Sequence, residues 1–148
     1  MKESENADWD AELLVDDKLL LPDDKYEAVF IGHETVFVFQ NPKIFLRFRI
    51  TSQGEHFGKE IFRAYRVNKL VGKPSKNGKF KLRRGSDLFA DISRLLDFKV
   101  RPDRISLHSL KNQLWLIKTR TVFVDYKQRK VPDWARYSVV DEIIGTAT

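Results

Sequence analysis

The chain predicts a mainly β domain: a five-stranded, barrel-like Greek-key sheet with one helix between its third and fourth strands, behind an acidic tail. Three observations predict it. Ile44, Leu46, Phe48 and Ile50 alternate with Phe45, Arg47, Arg49 and Thr51, the period-two pattern of a strand with one wholly apolar face. Other runs rich in β-branched and aromatic residues lie at Ile61–Val67, Gln113–Tyr126 and Tyr137–Ile144. Only Ser86–Asp97 carries a clear helical period, with Leu88, Ile92, Leu95 and Leu96 forming one apolar stripe.

Residues 1–21 read as a tail, and the domain as 22–148. Residues 1–26 hold nine acids against three lysines, a net of −6, which leaves +12 on the remainder of a chain whose total is +6. High charge with few apolar residues predicts disorder at the start. The leucines at Leu13, Leu14 and Leu19–Leu21 suit either a short helix or a cover for the domain edge. Pro22-Asp23-Asp24 is a turn signal.

Strand one runs from Lys25 to His33 and continues through Thr35–Phe39, with Gly32 permitting a bend or bulge. Gln40 to Lys43 reads as the turn into strand two, Ile44–Ile50. A polar turn with Gly54 and Gly58 leads to strand three, Ile61–Val67. Asn68–Gly85 is a long connection with seven cations (Lys69, Lys73, Lys76, Lys79, Lys81, Arg83, Arg84) and no acid. It reads as a flexible arm suited to gripping phosphate, or as a solvated loop. Ser86 can cap the helix, with Asp87 favourably placed in its first turn. Ile105–Leu107 reads as a short strand. In Gln113–Tyr126 neither parity is cleanly apolar, as in a strand whose two ends meet different surroundings. Lys127–Asp133 is a basic turn before the last strand.

Several classes are disfavoured. The chain has 148 residues, enough for one domain with a real core. No apolar run approaches the roughly 20 residues of a membrane span, and the acidic start does not resemble a secretory signal. The absence of cysteine rules out disulfides and thiol nucleophiles and fits a cytoplasmic chain, nucleoid-associated if bacterial. His33, His56 and His108 are dispersed and form no HxH or HExxH pair. Asp97, Asp103 and Asp125 fit turns and caps. No metal, cofactor or catalytic residue is expected, and the chain does not read as an enzyme.

A body of +12 favours a polyanionic partner. On strands two and three, Phe45, Arg47, Arg49, Phe62, Arg63, Tyr65 and Arg66 offer rings that could stack on bases and guanidinium groups that could meet phosphate. Trp115, Lys118 and Arg120 on the later strand join these candidates, as do the seven cations of Asn68–Gly85.

The phrases LPDDKYEAVF, IFLRFRI and GKEIFRAYRV, with the later LKNQLWLIKTRTVFVDYKQRKVPDWARYSVV, resemble single-stranded DNA-binding proteins of phages and integrated mobile elements. That resemblance covers residues 21–144. It implies an OB-fold and a groove across strands two and three that binds single-stranded DNA with little sequence preference, in replication or recombination. Replication or recombination proteins are its expected partners. The acidic peptide is N-terminal here, whereas many such proteins end in one, so recruitment by the usual route is not implied. The tail suits either a docking peptide or an acidic competitor for the basic groove. Two alternatives stay open: an accessory module for a helicase or polymerase, and an RNA-binding barrel.

Overall fold

The computed structural model describes residues 19–96, 107–124 and 128–147. The tail over residues 1–18 lies outside the described residues, as do Asp97, Asp103, Ile105 and Asp125.

Among the described residues the chain is mainly β, with a five-stranded antiparallel sheet and one α-helix. The strands are β1 (Lys25–Val38), β2 (Asn41–Ile50), β3 (Glu60–Arg66), β4 (Lys69–Val71), β5 (Lys79–Lys81), β6 (Leu114–Val122) and β7 (Tyr137–Thr146). The sheet order is β3-β2-β1-β6-β7, and β4 and β5 form a separate hairpin. The helix α1 (Asp87–Leu96) follows that hairpin, and a 3-10 turn, Leu107–Leu110, precedes β6. Leu107 therefore opens a turn rather than closing a strand.

Alternation on β2 builds the main core. Ile44, Leu46, Phe48 and Ile50 are fully buried, with Ile61 and Tyr65 of β3, Leu88 and Ile92 of α1, and Trp115 and Ile117 of β6 in the same cluster. Ser86 caps α1, its Oγ accepting from the Phe89 amide at 3.2 Å. In β6 the inward parity is Trp115, Ile117 and Thr119. The register shifts against β7 leave out Ile144 and Asp141 of that strand, so β6 keeps this single inward parity, and Leu114 and Leu116 lie on its outer face.

The bend in β1 falls where Gly32 permits it. The register against β2 slips between Phe30 and Gly32, and Gly32 has φ 147°, a conformation that side chains disfavour. The turn after β1 is Phe39-Gln40, both with positive φ, so Asn41 to Lys43 belong to β2. Two-residue hairpins of this kind favour Gly or Asn, and neither residue type marks this one.

The domain's packed body begins before residue 22. The Ser138 amide donates to the Leu19 carbonyl at 2.7 Å, the Leu21 amide donates to Ser138 Oγ at 3.1 Å, and Leu21 joins the core.

No backbone ladder links the outer strands β3 and β7. Side chains join them instead. Arg63 of β3 donates to the Val140 carbonyl at 3.2 Å and to the Asp141 carbonyl. It also donates to the Tyr65 hydroxyl at 2.7 Å and lies 3.7 Å from Asp91. Burial and the hydrogen bond to Asp91 hold the Tyr65 phenol well above its ordinary pKa. Arg63→Met keeps the stem and removes every donor. It should cost roughly 1.5–3 kcal/mol in urea unfolding and speed amide exchange along β7. Unchanged stability would show that the two edges hold without Arg63.

Candidate functional site

The opposite face of β2 and β3 is also apolar at its centre. Phe45 (3% exposed) and Phe62 (6%) cluster with Val36, Val38 and Val139. Their rings stack at 4.6 Å, and Phe62 stacks on Tyr137 at 6.5 Å. The continuation of β1 past its bulge and the start of β7 cover both rings. Tyr65 points into the main core, and Trp115 is fully buried, its Nε1 donating to the Leu110 carbonyl at 2.8 Å. The four rings expected to face a ligand are thus packed within the protein, and none offers a base a free face in this arrangement.

The strand arginines are largely satisfied internally. Arg47 pairs with Glu34, Arg49 with Glu60 at 3.7 Å, Arg63 as described, and Arg120 with Asp141 at 3.1 Å. Arg66 is exposed and reaches Asn41 at 3.4 Å. Lys118 is exposed on β6.

The seven cations of residues 68–85 are all exposed. Among the described residues no carboxylate lies within ion-pair distance of any of them; Arg83 instead donates to Asn68 Oδ1 at 3.0 Å. Lys69 stands directly opposite Lys81 in the β4–β5 ladder. Like charges in that position are destabilising.

The connection is built into the domain and is not a free arm. Leu70 and Leu82 enter the main core. The Thr35 amide donates to the Ser75 carbonyl at 3.0 Å and the Asn77 amide to the His33 carbonyl at 2.7 Å. A β-bridge joins Glu34 to Lys76. Gly78 is required here, because a Cβ on it would collide with Thr35 Oγ1 and Ser75 Oγ.

The latch places the hairpin beside β1 and the 3-10 turn and leaves an open cleft of about 1010 Å³. Its lining includes Phe30, His33, Phe80, Lys79, Lys81 and Lys111. His33 and Phe80 meet edge to face at 5.6 Å. His33 Nε2 bonds the Gly78 carbonyl at 2.8 Å. Burial lowers the His33 pKa below its ordinary value near 6.5, outweighing the Gly78 hydrogen bond and the Glu34 charge, while Lys111 lowers it further.

The neutral imidazole therefore supports the latch. The folded chain resists a proton that the unfolded chain binds below about pH 6.5, so stability should fall on acidification through that value. It should level off once the pH passes the lower folded pKa. His33→Gln should abolish this component of the pH dependence in thermal melts. A slope identical to that of the wild type would remove His33 as its source.

Sequence reading passed over His33, Phe80, His108 and Lys111 as site residues, because the topology alone brings them together. Trp134 (82% exposed), Phe57 and Phe37 are exposed rings that sequence reading did not single out as site residues, as is Phe123, over which Arg136 sits at 5.0 Å. Among the described residues no group of His, Asp or Glu side chains could hold a metal ion, and no helix is long and apolar enough to cross a membrane. Comparison with protein-family models, curated proteins and solved structures returns no match.

Proposed function

We propose that this chain is a non-enzymatic, OB-fold-like domain that binds single-stranded DNA with little sequence preference, in replication or recombination of a phage or mobile element. The strand order supports the fold reading. Taking the hairpin as an insertion, the five main strands run 3-2-1-4-5, with the helix before the fourth and side chains joining strands three and five. A partly open five-stranded Greek-key barrel would have this strand order, which supports the reading.

One observation carries the binding reading: a fixed hairpin holds Lys69 against Lys81, with Lys73, Lys76, Lys79, Arg83 and Arg84 around it and no ion-paired carboxylate among the described residues. A phosphate backbone would relieve the repulsion of Lys69 by Lys81. Cations on a rigid ladder also lose less freedom on binding than those of a flexible arm. The binding surface then centres on β4–β5 and its cleft, with Arg66 and Lys118 as outlying contacts.

Anisotropy titration of a labelled single strand at several salt concentrations tests the proposal. The log–log slope should be negative, near 0.7 per phosphate contact. An accessory module for a replication protein is the second reading, favoured by the exposed ring of Trp134. It predicts no salt-dependent DNA binding.

A further inference from the structure

We propose that the cleft between the β4–β5 hairpin, β1 and the 3-10 turn is a nucleotide pocket that takes one base of the bound strand against Phe80 and its phosphate on Lys79, Lys81 or Lys111. This deepens the single-strand reading and rests on it.

The cleft combines two chemistries in one lining, apolar and cationic. Its floor is apolar, made by the buried Phe30, Leu82 and Leu107. Phe80 is half-buried over that floor, braced edge-on by His33 at 5.6 Å. A braced ring loses little freedom when a base stacks on it, and stacking suits any base, because each has a π-face. The rim is cationic and carries the amides of Asn68 and Asn77, which can bond to base edges or sugar. An apolar aromatic floor under a cationic rim matches a planar ring tethered to an anion. Bare phosphate would leave the floor unused. The volume of about 1010 Å³ is at the upper end for small-ligand sites and admits a nucleotide with its neighbour's backbone.

His33 keeps this wall uncharged. Its Nε2–H donates to the Gly78 carbonyl, so the neutral ring both fixes the hairpin and supports Phe80. The ring row Phe45–Phe62–Tyr137 forms no part of the pocket's lining. Those rings already stack on one another.

The test is a titration of the full chain with thymidine monophosphate, followed by amide chemical shifts, with inorganic phosphate as the parallel probe. The nucleotide should move Gly78, Phe80, His108 and Lys111 further than phosphate does. Phe80→Leu, which keeps the floor filled, should weaken the nucleotide roughly 5- to 150-fold and leave phosphate binding unchanged. Should Phe80→Leu lose its dispersed spectrum, Lys111→Gln serves instead and should weaken both probes. Equal shifts from the two probes, or shifts confined to other residues, would overturn the pocket while leaving single-strand binding intact. A chain that binds neither labelled single-stranded DNA nor the nucleotide would overturn the function reading itself.

Discussion

Trp115→Ala should unfold a large part of the population, with a loss of about 3–5 kcal/mol in urea denaturation. Trp115 is fully buried in β6, opposite the small Ala28 of β1. Removing the indole also leaves the Leu110 carbonyl without the Nε1 donor at 2.8 Å. That carbonyl ends the 3-10 turn leading into β6, so the damage reaches the turn that walls the cleft. Small domains hold only about 5–15 kcal/mol in total, so this single change removes a major share. A stable Trp115→Ala chain that had merely lost DNA affinity would restore the ring to the surface role its sequence context suggests.

Replacing Lys69, Lys73, Lys79 and Lys81 together with Gln should do the opposite. All four are exposed, and none lies within ion-pair distance of a carboxylate among the described residues. At about 0.7 per contact, the log–log salt slope should shrink by about 2.8, and affinity at moderate salt should fall on the order of 10²-fold. Stability should hold or rise by a few tenths of a kcal/mol, since the change ends the repulsion of Lys69 by Lys81. A binding loss accompanied by unchanged or greater stability separates function from structure. A fall in stability would mean that these stems pack on Leu70 and Phe80 and that their charge matters little.

The two variants mark how far the sequence could be read. Main strands and helix were legible because Ile44–Leu46–Phe48–Ile50 and Leu88–Ile92 express their periods cleanly. The Gly32 bulge was legible because only glycine adopts its φ easily. The Phe39-Gln40 turn was hidden, since neither residue type signals a left-handed conformation. The candidate site was half legible. Charge alone singled out Lys69 to Arg84 as candidates, but not the ladder that fixes them, because Leu70 next to Val71 and Leu82 between Lys81 and Arg83 make no visible pattern. Phe45 and Phe62 misled for a physical reason: alternation states which side of a strand a residue faces, not whether that side is open. Their side is covered by Val36, Val38 and Val139, residues brought there by the bend in β1 and the return of β7. Likewise Arg47, Arg49 and Arg120 looked available, but Glu34, Glu60 and Asp141 are placed beside them only by cross-strand register and folding.

The most direct test sets the hairpin against the strands in one assay. Labelled single-stranded DNA is titrated by anisotropy across a salt series with three proteins: wild type, the four-lysine hairpin variant, and Arg47→Gln/Arg49→Gln. If the hairpin carries binding, its variant alone loses most of the affinity and flattens the slope by about 2.8, while the arginine variant stays within a few-fold of wild type. The contrary result is an arginine variant that loses binding and slope while the hairpin variant keeps both, which would return the site to β2 and β3.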